Sequence, residues 1–324
     1  MRILLWHVHG SYTTALVQGP HTYLLPLMPG RGPDGRGRAQ TWDWPASAVE
    51  VPAGQLHDAE FDVVILQRPH EEELAGLLTG RRPGRDVPAV YLEHDAPAGA
   101  VPLTRHPVAG RADLHLVHVS HFNELFWDSG TTPVTVIEHG VVDPGARWTG
   151  EIARAAVVVN EPLRRGRYVG TDLLPFFAGQ AGLDVFGMGV ADLPGKLGVP
   201  GVRAYENLPQ QQMHDALARR RVYLHPVRWT SLGLSLIEAM HLGMPVVAVA
   251  ATEVADAVPP GAGIVSTSRQ VLRGAVRRLL ADPAEAAELG RAAREAALAR
   301  YGLKRFLADW DALLTKAAGP AAGR

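Results

Sequence analysis

Short, continuous apolar runs alternate along this chain with stretches of helical spacing, and that alternation limits the fold more than any other feature. In the first half the runs are Ile3-Leu4-Leu5-Trp6, Val63-Val64-Ile65-Leu66, Ala89-Val90-Tyr91-Leu92, Leu116-Val117-His118-Val119 and Val134-Thr135-Val136-Ile137. In the second half they are Ala155 to Val159, Leu183 to Phe186, Val222 to Leu224 and Pro245 to Val249. A strand with one wet face alternates apolar and polar residues; these do not, so helices are expected to cover both faces of a parallel sheet. Helices are predicted from about His70 to Leu78, over Leu234 to Leu242, from Pro283 to Arg300, and from Leu303 to Lys316. The stretch 29–54, rich in Gly, Pro and Arg, reads as irregular, and Pro144-Gly145 with the polar residues to Glu151 reads as a linker. With 324 residues there is room for two such α/β halves, with no fixed-period repeat between them.

Composition excludes several classes of function. A formal net charge of −1 argues against a general nucleic-acid or membrane-surface binder. The longest apolar runs, such as Val246 to Ala251, fall far short of the ~20 residues of a bilayer span, so no integral membrane segment is expected. The start, Met1 to His7, turns polar too early for a signal-peptide core, and a soluble cytoplasmic protein is expected. The absence of cysteine removes disulfides, thiolate metal sites and cysteine nucleophiles. His115, His118 and His121 recur every three residues, but that spacing does not align one strand face, and no His-Glu-x-x-His occurs. No metal site is expected. Arg81-Arg82 and Arg219-Arg220-Arg221 read as helix C-terminal caps. No Gly-x-Gly-x-x-Gly follows the first strand, which disfavours a dinucleotide-dependent oxidoreductase.

The most informative segment runs from Val222 through Pro245-Val246-Val247. A strand ends at His225-Pro226, a loop reaches Thr230-Ser231, and a helix begins near Gly233, with Thr230 or Ser231 as the expected N-cap. The open amides of such a helix start seat a phosphate. Glu238 lies over a turn further on, placed to accept hydrogen bonds from ribose hydroxyls. A carboxylate between apolar neighbours needs partners, because burying it alone is costly.

Pro226, Gly233, Leu234, Glu238, Ala239, Met240, Gly243, Pro245, Val246 and Val247 match in register the donor signature of retaining glycosyltransferases, and the chain resembles that group 1 family. Further matches in order are Tyr91-Leu92-Glu93-His94-Asp95, Val136 to Asp143, Gly187-Met188-Gly189 and Tyr205 to Met213. The resemblance implies the glycosyltransferase-B fold: two Rossmann-like parallel-sheet domains facing across a cleft. It divides the chain into an acceptor-side domain (1–148), a nucleotide-sugar donor domain (149–301), and a C-terminal helix (302–324) packing back on the first. The implied activity is a retaining, metal-independent, hexosyltransferase-like transfer from a nucleotide-diphosphate sugar to a small-molecule or glycan acceptor, with no cofactor.

On the same resemblance His94, Thr230 and Glu238 stand at catalytic positions. Gly10, Arg164, Arg165, Arg167, Tyr205, Trp229, Ser231, Leu232, Gly233, Leu234 and Glu238 stand around the donor, and Arg228 with Trp229 shapes the sugar pocket or closes the loop. Three departures stand out. The first acid of the signature, eight residues before Glu238, is Thr230; the lysine expected before Gly170 is Val169; and the glycine pair after the first strand is reduced to His9-Gly10-Ser11. A catalytically degenerate nucleotide-sugar-binding protein is therefore a second reading, and a sugar-nucleotide epimerase a third. The acceptor, the donor base and the oligomeric state are not written in the sequence.

Overall fold

The computed structural model describes residues 1–179 and 181–319. It divides into two compact units, one made of residues 1–142 with the segment that begins at Leu303, the other of Asp143–Gly302.

Unit 1 carries a parallel sheet of β1 (Arg2–Leu5), β2 (Thr22–Leu27), β3 (Ala48–Pro52), β4 (Val63–Leu66), β5 (Ala89–Glu93), β6 (His115–His118) and β7 (Val134–Val136), in the order β3-β2-β1-β4-β5-β6-β7. Two of these strands correct the sequence reading. Pro26 disguises β2, since proline argues against a central strand. Here it lies beyond the last β1 pair, Leu4 with Leu24, so β1 asks nothing of its missing N–H. β3 lies inside the stretch expected to be irregular. That stretch is ordered because the Arg38 guanidinium bonds to the carbonyls of Trp44, Pro45 and Ala48, while Arg31 pairs with Glu50 at 2.7 Å. The charged Glu50 and Pro52 suit an edge position.

The helix Leu303–Ala318 belongs to unit 1. Its Trp310 indole donates to the Tyr12 hydroxyl at 3.0 Å, and Phe306 meets Tyr12 edge-on. A Cβ on Gly140 would lie 2.3 Å from the Cβ of Phe306, so only glycine allows this approach.

Unit 2 repeats the plan with β8 (Ile152–Val158), β9 (Leu183–Gly187), β10 (Val202–Glu206), β11 (Arg220–His225), β12 (Val246–Val249) and β13 (Gly263–Ser266), in the order β10-β9-β8-β11-β12-β13. The two unpredicted strands, β10 and β13, are its edges, where incomplete burial weakens the apolar signal. The stretch Pro144–Glu151 packs on this unit: the Trp148 indole donates to the Arg220 carbonyl at 3.0 Å, and the Thr149 amide to Ala218 at 2.9 Å. Both sheets reverse direction beside their first strand, at β1/β4 and at β8/β11, which is where ligands bind in open α/β sheets.

Of the arginines expected to cap helices, Arg81 and Arg82 have other tasks, whereas Arg219 is the C-cap residue of helix Gln210–Ala218 and Arg221 reaches the Leu280 carbonyl in the last turn of helix Arg269–Ala281. Helix Glu71–Thr79 is closed by Gly80 at φ 70°, while Arg82 pairs with Asp86 and Arg81 reaches the Ala59 carbonyl. Arg220 is buried and reaches back to the Ala216 carbonyl, but its main partner is the fully buried Asp184. Asp184 accepts from Arg154 Nε at 2.5 Å and Arg220 Nε at 2.8 Å, joining β8, β9 and β11 at the centre of the sheet. Removing Asp184 leaves the Arg220 guanidinium charged and buried. Asp184→Ala is expected to cost about 3–5 kcal/mol of unfolding free energy in urea titration, the range for a broken buried pair.

Candidate functional site

At the switch point of unit 2 the loops that follow β8 and β11 lie against each other. Gly170 has φ +76°, and a Cβ there would come within 2.1 Å of the Pro226 carbonyl oxygen. The Tyr168 carbonyl accepts from the amides of Arg228 at 2.9 Å and Trp229 at 3.1 Å. Arg228 bonds both carboxylate oxygens of Asp172 and the Arg167 carbonyl, tying the two loops together and lowering the Asp172 pKa. This arginine closes the loop, one of the two roles open to it in the sequence.

The next step along the chain corrects the expected cap. Helix Leu234–Leu242 starts from Gly233, and no side chain caps it. Ser231 and Leu232 are turned inward and buried, and Ser231 contributes its carbonyl to the Glu253 amide at 3.4 Å. Thr230 and Trp229 are half-buried on the loop. The helix amides are thus left uncapped at the C-terminal end of β11, with the positive end of the helix dipole behind them.

His225, at the end of β11, explains Gly233. Its ring is 1% exposed, and a Cβ on Gly233 would lie 2.6 Å from its Cε1. Neither ring nitrogen has a partner among the described residues, and burial lowers its pKa to about 4. Sequence reasoning missed this contact because nothing in the spacing of residues 225 and 233 predicts that the loop folds back on the strand end.

Glu238 is 3% exposed and faces the helix Gln210–Ala218. Gln210 Nε2 donates to Oε1 at 3.4 Å, and His214 Nε2 lies 3.6 Å from Oε2. Both contacts are long for hydrogen bonds to a carboxylate, which has about four lone-pair sites, so acceptor capacity remains.

The three candidate arginines of the loop after β8 differ. Arg164 is exposed and bonded to Glu161, and Arg167 is exposed and paired with Asp172 at 2.8 Å. Arg165 is half-buried and has no carboxylate partner among the described residues. The loop itself is pinned to the end of β9, since the Glu161 amide donates to the Met188 carbonyl at 2.7 Å and Asn160 Oδ1 accepts from the Met188 amide at 3.0 Å. Tyr205 is placed differently from the other candidates. Its hydroxyl accepts from Arg220 at 2.7 Å, and its ring stacks on Phe186 at 4.5 Å, so it serves the Asp184 cluster.

In unit 1 the corresponding edge gathers Gly10, at the start of helix Gly10–Leu16 after β1, and His94, after β5. A Cβ on Gly10 would meet the Trp42 ring at 2.5 Å. His94 lies 4.1 Å from His9 ring to ring, and Gln67 Oε1 is 3.0 Å from its Nε2. Behind it Glu93 is buried, accepting from the Asp95 amide at 2.6 Å and paired with His106 at 2.9 Å. Among the described residues no group of three or more His, Asp or Glu is arranged to hold a metal ion, and no helix is long and apolar enough to cross a membrane.

Residues 195–296 match the model of the family described as glycosyl transferases group 1. Similar solved structures include sucrose-phosphate synthase from Thermosynechococcus elongatus, at 15% identity and TM-score 0.69 over 97% of this chain and 98% of that one. HepE from Anabaena in complex with UDP-glucose is similar at 15% identity and TM-score 0.70, over 98% of this chain and 100% of that one. A glycosyltransferase from Rickettsia africae is similar at 12% identity and TM-score 0.67, over 99% of each chain. No curated protein matches the sequence. The fold is therefore that of the glycosyltransferase-B class. The matched segment contains Glu238 and the whole of its helix, and together these findings support a glycosyltransferase.

Two outcomes follow from this geometry. Gly233→Ala forces the buried His225 ring or the loop to move, and is expected to cost about 1–3 kcal/mol of unfolding free energy in urea titration, the range for overpacking a buried contact. His118 and His225 are both buried and held neutral at pKa values of about 4, against 6.5 in an unfolded chain. Depressed values mean that the unfolded state binds the extra protons as pH falls. Their contribution is complete above pH 6.5 and declines toward pH 4, by about 1.4 kcal/mol per pH unit for each ring, which urea unfolding at pH 7, 6 and 5 measures.

Proposed function

We propose that this chain is a retaining glycosyltransferase that moves a sugar from a nucleotide-diphosphate donor to a hydroxyl-bearing acceptor, without a metal or other cofactor. The observation that carries the reading is the buried, incompletely bonded Glu238 on a helix whose uncapped start opens at the switch point of unit 2. In this reading Glu238 accepts the ribose hydroxyls, and the amides around Gly233 and Leu234 hold the diphosphate. Arg165 is the first guanidinium available to it. Arg164 and Arg167 would have to leave exposed ion pairs, a small cost of about 0–1 kcal/mol each. HepE holds UDP-glucose, which makes that the first donor to test here.

The chemistry follows from where charge grows. As the glycosidic bond breaks, the sugar gains oxocarbenium character and the diphosphate gains negative charge. Fixed amides and a guanidinium at the phosphate stabilise that change more than they stabilise the bound donor. The acceptor hydroxyl attacks from the face the phosphate leaves, and the departing phosphate takes its proton, so the configuration is retained and no protein nucleophile is needed. On the same reading Gly10 belongs with the donor-binding residues and His94 with the reacting sugar. A cysteine-free chain requires no oxidising compartment, and the cytoplasm is the proposed setting.

Thr230 favours a second reading, a protein that binds the donor without turning it over, because a hydroxyl replaces the acid that faces the donor sugar in the family pattern. Measured transfer or donor hydrolysis removes it. Calorimetry with UDP-, GDP- and TDP-sugars tests the main reading. Glu238→Ala is expected to weaken the preferred nucleotide about 10- to 100-fold, the worth of hydrogen bonds to a charged group. Arg165→Ala is expected to weaken it more than Arg167→Ala. Unchanged binding in Glu238→Ala would show that the site is elsewhere.

A further inference from the structure

Unit 1 contains a hydrogen-bonded relay that the donor chemistry leaves unexplained. β1, β4 and β5 are neighbours in the sheet, so the residues that follow them, Trp6, Gln67 and His94, come together at one edge. Gln67 is 8% exposed and makes two side-chain bonds. Its Nε2 donates to the main-chain carbonyl of Trp6 at 2.7 Å, and its Oε1 lies 3.0 Å from His94 Nε2. The residue is pinned at its backbone as well, since its amide donates to the Glu71 carboxylate at 2.6 Å.

The orientation of this amide is forced by chemistry. A main-chain carbonyl only accepts, so the NH2 end of Gln67 must face Trp6; the flipped amide would set two oxygens against each other. The oxygen end then faces His94, and only a ring nitrogen that carries a proton satisfies it. His94 itself is held neutral, its pKa driven well below the usual histidine value by burial, with His9 and His139 pushing the same way. A neutral imidazole has a single N–H. With that proton on Nε2, Nδ1 is left as a bare lone pair. It has no hydrogen-bond partner among the described residues, and it is not one of the nitrogens sealed without a partner in the interior.

The structure assigns Gln67 the role of a positioning residue, which fixes His94 as the Nε2–H tautomer so that Nδ1 accepts a hydrogen bond from a sugar hydroxyl. The inference rests on the reading of His94 as a substrate-facing group in a glycosyltransferase. It adds a direction to that reading. His94 in this state receives a hydroxyl proton in a hydrogen bond and cannot donate to a phosphate or carbonyl oxygen through the same nitrogen, which selects for hydroxyl-bearing ligands. The neighbouring His9 and Tyr12 rings, at 4.1 and 4.6 Å, hold the imidazole plane.

The test is nitrogen-15 NMR of the imidazoles in the full chain at neutral pH, for the native protein, Gln67→Leu and Gln67→Glu. The expected result is a proton on His94 Nε2 in the native protein and in Gln67→Glu, whose buried carboxyl in its protonated form donates to the Trp6 carbonyl and keeps an acceptor toward His94, and loss of that preference in Gln67→Leu. With an active donor, Gln67→Leu is expected to lower kcat about tenfold with little change in donor KM, and Gln67→Glu to recover most of it. A native His94 protonated on Nδ1 overturns the inference, as does an unchanged tautomer in Gln67→Leu. Full activity in Gln67→Leu with the tautomer lost also overturns it. If Gln67→Leu does not fold, the native tautomer and the Gln67→Glu rate decide. UDP binding, measured in parallel, reads Glu238 and Arg165 in the other unit. Its absence with an Nε2–H His94 sinks the functional reading alone, and its presence with an Nδ1–H His94 sinks this inference alone.

Discussion

The approach of Gly170 to Pro226 is the contact on which the candidate site of unit 2 depends. Two main chains that leave adjacent strands in opposite directions come so close that a methyl group would not fit between them. That closeness lets one carbonyl, that of Tyr168, receive two amides of the loop after β11, and lets Arg228 reach Asp172 with both ends of its fork. With the loop held there, Ser231 and Leu232 turn inward, Gly233 passes over the His225 ring, and the helix that carries Glu238 begins without a cap. A side chain capping those amides would occupy the place a phosphate needs.

Charge is used in two ways in unit 2. Deep in the sheet, Asp184 is shared by Arg154 and Arg220, and the cluster fixes the spacing of three strands. At the strand ends Arg164 and Arg167 are exposed and held by weak pairs that a ligand can replace, and Arg165 has no carboxylate partner among the described residues. The abundance of arginine therefore says little by itself. Which of them is spent on structure and which is left for a ligand depends on the carboxylates the fold sets beside them.

Much of this was legible along the chain. The central strands of both sheets, the helix that carries Glu238 and the two C-terminal helices follow from continuous apolar runs and helical spacing, because burial on both faces leaves no room for polar residues. The edge strands β10 and β13 were not legible, since partial burial weakens the pattern, and β2 was hidden by Pro26, which lies beyond the last pair with β1. The ordered stretch around Arg38 was not legible either. Its regularity comes from one guanidinium gathering three carbonyls, and no local pattern encodes that.

For the site the division is sharper. Residue order along the chain specifies the kinds of group available: a carboxylate over a turn into a helix, a glycine before it, a histidine after a strand, and a threonine where the family pattern has an acid. Spacing along a helix or strand is local, and so it survives in one dimension. What each group is free to do is set by folding, which supplies its partners. Folding gave Tyr205 to the Asp184 cluster, put Gly233 at the helix cap in place of Thr230 or Ser231, and set no carboxylate beside Arg165 among the described residues. It also set Gln67 between a carbonyl and His94. Those outcomes depend on partners tens of residues away, and hydrogen-bonding capacity is allotted by such partners, not by sequence neighbours.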